Sequence, residues 1–479
     1  MPKRILYWFR NDLRLHDNEG FLRAVEAADE VLPVFVFEPR WFDELPELGF
    51  HKTGIHRATF LLESVADLRR SLQQKGGDLI IRVGHSEKIL AQLAEDIEAE
   101  AVYSSKEVTQ EETDTESDLS KRLKPLNIDL ELFWVSTLYH ARDLPFWVSR
   151  LPTSFAQYRT QVESQSDVRK PLPAPDQVRL VHGIDSGNLP QLTAFGFSDD
   201  EIAQAEQPDS RASISVKGGE SEGLSRLNRY IWQEELVKSY QETRNGFSAD
   251  GNTSKFSTWL ATGCLSPRLI YQELKRFEHE RLQNESISEI IIDLIWRDFF
   301  RFTALRYGTR IFKPSGIRHD LNRAWLRDTA LFHRWAQGQT GIPLVDANMR
   351  KLNVTGFMSD RGRQVVSSFL LNDLGVNWTW GAAYFESQLI DYDPCSNWGN
   401  WNYMADLSND PDKKQHVSIN DHAIKHDADG NFVRTWLPEL SALPAQAIHS
   451  VYNLSPDQQR QSGVVLGETY PLPIINLNA

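Results

Sequence analysis

The sequence predicts a two-part α/β chain: an amino-terminal doubly wound parallel five-stranded sheet domain at residues 1–135, a long connector at 136–220, and an all-helical domain at 221–479. Three observations carry this reading. A length of 479 residues exceeds the roughly 250–300 at which a single core stops growing. Short apolar runs alternate with helically spaced segments before residue 135, whereas helical spacing is almost unbroken after Gly223. Between them lies a weakly periodic stretch with prolines at 145, 152, 171, 173, 175, 190 and 208.

The five runs predicted as strands are 5–9, 31–37, 79–83, 101–103 and 130–135. Phe60, Leu61, Val65, Leu68 and Leu72 recur at three to four residues, as do Ile89, Leu90, Leu93 and Ile97, so helices separate the strands. Such alternation implies a parallel sheet with helices on both faces and ligands at the carboxyl ends of strands. The loop 10–18 after the first strand is therefore expected to make a ligand or domain contact. No GxGxxG follows it, which argues against a dinucleotide site there. Phe146, Trp147, Phe155, Tyr158 and Phe195 are expected to pin the connector to both domains. Helices are predicted at 224–242, 267–278, 288–307, 329–337, 343–352, 362–374 and 379–389, two of them opened by Pro267 and Pro343.

An apolar share of 41% and a charged share of 25% allow sizeable cores. Cys264 and Cys395 supply neither a disulfide framework nor a zinc set, no metal site is expected, and a reducing cytoplasm fits. The apolar run from Ile5 to Phe9 leaves no room for a secretory signal ahead of it, so secretion is not expected, and no apolar run reaches membrane length. A net charge of −14 argues against a protein that coats nucleic acid through its overall field, although a local basic groove remains open. Most of the fourteen tryptophans follow residue 230.

Four segments concentrate chemistry. GNTSKFS at 251–257 sets hydroxyls and a lysine before an apparent helix, which suits a phosphate, although a capping turn is the more frequent reason for such a pattern. DLIWRDFFR at 293–301 puts Asp293, Trp296, Arg297 and Arg301 on neighbouring helix faces, as one cleft or as an intrahelical ion pair beside a core tryptophan. GFMSDRGRQ at 356–364 offers Asp360, Arg361 and Arg363, with Arg363 expected to pair bidentately with Asp391 if the run is not simply solvated. LIDYDPCSNWGNWNY at 389–403 crowds acids, amides and rings into either a surface turn or the wall of a pocket for a planar heteroaromatic ligand.

In this order, and together with YWFRNDLRLHDN, TSKFSTWLATGCLSPR and TGIPLVDANMR, these segments resemble the photolyase and cryptochrome flavoproteins over nearly the whole chain, and TLYHARDLPF, GFMSDRGRQ and YDPCSNWGNW resemble the cryptochrome DASH branch. The resemblance implies a helical FAD-binding domain in which Tyr240, Thr253, Ser254 and Ser257 surround the phosphates. Arg363 and Asp391 would pair beside the isoalloxazine, Asp393 would lie near its polar edge and Asn397 would face N5. It implies blue-light electron transfer from reduced FAD to a cyclobutane pyrimidine dimer, in single-stranded DNA for this branch. Trp296 would stack on the lesion, Asp293 would bond its base edge, and Arg361 and Arg244 would contact flanking phosphates. Trp401, Trp378 and Trp325 would carry electrons between flavin and solvent, and Glu107 would bond a 5,10-methenyltetrahydrofolate antenna. A monomeric cytoplasmic protein is expected.

Two positions depart from the pattern. Asp293 stands where repair-competent relatives usually carry Glu, and Asp360 where they carry Asn, so a signalling photoreceptor with little repair is the alternative expectation.

Overall fold

The five apolar runs pair into one parallel sheet of strands β1 (Arg4–Phe9), β2 (Glu30–Phe37), β3 (Ile80–Val83), β4 (Ala101–Ser105) and β5 (Asp129–Phe133). The computed structural model describes residues 2–207, 209–211, 216–247, 253–410 and 417–475. The strand order is β3-β2-β1-β4-β5, with the chain changing direction across the sheet between β1 and β4. Both faces of β1 are buried, which is why it reads as a continuous apolar run. Leu6 and Trp8 pack with Leu90 and Leu119 on one side, and Ile5, Tyr7 and Phe9 with Phe60 and Leu68 on the other. β5 ends at Phe133 rather than 135, and the Val135 carbonyl accepts from Arg14 Nη2 at 2.8 Å.

The loop 10–18 proves to be a domain contact. Asp17, fully buried, pairs with Arg268 at 2.7 Å, Arg14 Nη1 donates to Gly263 O at 2.8 Å, and Leu15 N–H donates to Glu220 at 2.9 Å. One apolar cluster consequently runs from the sheet through Trp259, Phe277 and Phe302 of the helical part. The connector is pinned to the sheet edge, where Val31 bridges Leu180 and Ile81 N–H donates to Ser186 O at 2.8 Å. Phe195 stacks on Phe42 at 3.9 Å. Trp147 is no anchor: it is 79% exposed, because Val148–Arg150 turns immediately after it.

Two helical expectations need correction, and one segment left open proves helical. The single helix at 224–242 is a series: Glu220–Asn228, a π-helical turn Arg229–Gln233, Leu236–Ser239 as 3-10 helix, and Tyr240–Thr243. Glu235, left-handed at φ 50°, breaks the ladder, since an α-helix cannot pass through that conformation. The helix expected at 362–374 starts earlier, at Asp360–Ser368 with Ser359 capping, and passes into a π-helical turn Phe369–Asp373. The stretch 389–403, open to a turn reading, is mostly helix, Pro394–Met404. Asp393 accepts from Ser396 N–H as N-cap and Pro394 holds the first turn, start signals that its amide density obscured.

Candidate functional site

Three helices meet at the candidate site. Glu285–Tyr307, capped by Asn284, packs along Pro394–Met404, and Asp360–Ser368 approaches the latter from another side. Arg363 meets Asp391 as the sequence suggested, but through a single nitrogen. Nη2 donates to both carboxylate oxygens, at 2.9 and 2.7 Å, while Nε is occupied by Met358 O at 3.0 Å, so the pairing is not the forked one expected. Asp391 is buried and Arg363 half-buried. Asp393, spent on the helix cap, lies 3.8 Å from Arg301. Burial pushes its carboxyl up, yet Arg297, Arg301 and the Ser396 N–H outweigh this and hold it below the usual carboxylate range. Asn397 donates its amide N–H to Ala382 O at 3.0 Å, which leaves its carbonyl oxygen as the group it can present. Trp401, one turn beyond Trp398 on the same helix, packs edge-on against Phe385 at 5.2 Å.

On the helix Glu285–Tyr307, Asp293 is the centre of a charged group. Its carboxylate accepts from the Tyr240 hydroxyl at 2.6 Å and from Arg244 Nη2 at 3.1 Å, and Arg244 also holds Glu289 at 2.5 Å. The carboxylate lies in a recess, closely surrounded by protein yet 36% accessible to water. Burial pushes its pKa up to about 6, helped by Asp360 and Glu289 and opposed by Arg244 and the Tyr240 hydroxyl. Tyr240 is thus engaged with Asp293. Asp360 is exposed at the first turn of its helix, where the helix terminus favours a negative charge, and accepts from Gln364 Nε2 at 2.8 Å. Neither Arg361 nor Arg363 pairs with it, because Arg361 is held by Gln364 Oε1 and Asn245 Oδ1 at 2.8 and 2.7 Å, and Arg363 by Asp391.

The long helix divides its other side chains. Trp296 is stacked by Phe155 of the connector at 3.6 Å and 9°, with Phe300 at 5.4 Å and Tyr403 edge-on at 6.1 Å. Arg297 does not share that cleft: it donates to the carbonyls of Ser136 and Leu260. Arg301 is buried against Glu107. Glu107 Oε1 and Arg301 Nε are themselves buried without a partner among the described residues. Burial pushes the Glu107 carboxyl up, against Arg301 and Arg10.

Of the 251–257 loop, Gly251 and Asn252 lie outside the described residues. Arg226 grips the rest, donating to Thr253 O at 2.6 Å and Ser254 O at 3.2 Å. Ser257 is exposed on the helix Phe256–Ala261. Trp401 and Trp378 are buried, whereas Trp325 is partly exposed, and the indole nitrogens of Trp378 and Trp325 share one acceptor, Pro314 O, at 3.0 and 3.1 Å.

A family signature described as DNA photolyase matches residues 5–176, and one described as FAD binding domain of DNA photolyase matches 290–479. A cryptochrome DASH of Gloeobacter violaceus is 46% identical over 475 residues, covering 99% of this chain and 93% of the relative. The chain belongs to the cryptochrome DASH family. A cryptochrome DASH of Xenopus laevis is 43% identical over 99% of this chain and 90% of its own. The solved Synechocystis cryptochrome superposes with a TM-score of 0.95 at 45% identity, covering 99% of this chain and 97% of that one. A class III photolyase of Agrobacterium tumefaciens gives 0.86 at 27% identity over 100% and 95%.

Phe155, expected as an anchor of the connector, is one through its stacking on Trp296. Sequence reasoning missed Arg226 and Asn245, which carry no local motif because each meets a partner at least 27 residues away in sequence. Among the described residues no helix is long and apolar enough to cross a membrane, and no group of residues could hold a metal ion.

Proposed function

We propose that this cryptochrome DASH splits cyclobutane pyrimidine dimers in single-stranded DNA under blue light. The observation that carries the proposal is that Asp293 and Trp296 stand one turn apart on the helix that packs along the one bearing Asn397 and Trp401. FAD, when bound, supplies a light-driven one-electron donor. The surrounding residues fit it. The Arg363–Asp391 pair sets a fixed charge beside the pocket, Asn397 offers an uncharged acceptor, and Thr253, Ser254 and Ser257 stand at a helix start suited to phosphates, with Tyr240 on Asp293. Asp393 keeps its charge at the cap of the Asn397 helix. Trp401, Trp378 and Trp325 form the route by which electrons reach the pocket from solvent, two buried rings followed by a partly exposed one.

Trp296, one face of which is taken by Phe155, offers the lesion the part of its ring that stays accessible, and Asp293 offers a hydrogen bond, with Arg244 and Arg361 near the strand's phosphates. The partnerless oxygen of Glu107 and nitrogen of Arg301 suit a heteroaromatic ring that both donates and accepts hydrogen bonds, and we assign the 5,10-methenyltetrahydrofolate antenna there. The protein works as a monomer in the cytoplasm. A second reading, a signalling photoreceptor with little repair, draws on the capture of Asp293 by Tyr240 and Arg244.

Blue-light treatment of dimer-containing single-stranded and duplex oligonucleotides under reducing conditions, with dark controls, decides between them. Repair is expected on the single strand, with a higher quantum yield for Asp293→Glu. No repair of either substrate, despite bound and photoreducible FAD, selects signalling.

A further inference from the structure

We propose that Arg323 governs the outer end of the tryptophan route: its guanidinium opposes the positive charge that Trp325 acquires on oxidation, drives off the Nε1 proton, and so traps the transferred electron at the inner end. The proposal rests on the electron route above and adds a residue that the route itself does not contain. Arg323 lies over the Trp325 ring, 4.4 Å from its centroid. Its Nη1 donates to Ala405 O, and among the described residues no carboxylate pairs with it. Asp406, next in the chain, faces Arg318 instead, at 3.6 Å. The charge over the ring is therefore not neutralised at short range. The inner two rings differ. Trp401 is packed by Phe385 and Trp335, and Trp378 by Trp398, with no cation over either among the described residues.

A cation over a neutral indole is held by the negative face of the ring, and is repelled once the ring itself is positive. Both effects favour the neutral ring. When Trp325 gives one electron to Trp378, and Trp378 one to Trp401, the charge left outside is one that Arg323 pushes back along the route. Breaking the Nε1–H bond removes it: the proton passes to water, the bonding pair stays on nitrogen, and a neutral indolyl radical remains. Trp325 is partly exposed, so water reaches it. Nε1 donates to Pro314 O at 3.1 Å, and Trp378 Nε1 holds the same carbonyl at 3.0 Å, so departure of the Trp325 proton leaves that oxygen paired. At 4.4 Å, repulsion between two unit charges, even with the full screening of water, makes the proton about fivefold more acidic.

The test is laser-flash absorption of the FAD-loaded protein, which reads the conversion of the Trp325 radical from its protonated to its deprotonated form; Trp325→Phe identifies the signal. Arg323→Met should slow the conversion by at least about twofold, since only part of a change in acidity reaches the rate. Arg323→Lys, which keeps a cation on a long stem, should restore the parent's rate, an outcome that loss of packing alone would not give. FAD absorbance reports whether each variant is folded, and Arg323→Gln serves if the Met variant is not. Equal rates in the parent and the uncharged variant, or a Lys variant as slow as the uncharged one, overturns the proposal. If Trp325→Phe leaves the radical signal intact, the electron route itself fails, and the role of Arg323 falls with it.

Discussion

Replacing Asp293 by Asn should stabilise the protein, and only at neutral pH and above. The rise from 3.8 to about 6 corresponds to about 3 kcal/mol against the charged form. Water reaches 36% of the side chain, and screening reduces this to about 1–2 kcal/mol. Because the folded value lies above the unfolded one, the cost is absent below about pH 4, develops as pH rises towards 6, and is complete above it. Asn avoids the cost, and Arg244 keeps Glu289 as partner. Urea or thermal unfolding of both proteins at pH 4 and 7.5 measures the difference. The variant should be more stable by about 1–2 kcal/mol at pH 7.5 and equal within about 0.5 kcal/mol at pH 4. A variant less stable than the parent at pH 7.5, or a gain of equal size at both pH values, would refute the reasoning.

Arg363→Ala should cost more than Asp391→Asn, about 3 kcal/mol or above, because it strands a buried carboxylate while the reverse change leaves a half-exposed guanidinium; thermal unfolding and FAD content measure it. Trp401→Phe should stop blue-light photoreduction of the flavin, whereas Trp325→Phe, at the partly exposed end, should only slow it, as followed by absorbance in the presence of a thiol.

The candidate site was legible where chemistry is dense over a few residues. Asp391 and Arg363 could be paired from the sequence because each stands in a short motif, and the strands of the sheet because apolar runs repeat at regular intervals. The connector's Trp147 misled, since an aromatic side chain is equally a buried anchor or an exposed ring until its turn is known.

The sequence by itself determined the two-part architecture and the family, because periodicity and motif spacing are local properties of the chain. Only the tertiary structure decided which side chains from distant segments meet. Glu235 breaks a helix and so delivers Tyr240 and Arg244 to Asp293, Phe155 covers a face of Trp296 from the connector, and Arg301 turns to Glu107 across the domain boundary. Each is a contact between distant segments, and its energy depends on burial and charge that exist only once the chain has closed on itself.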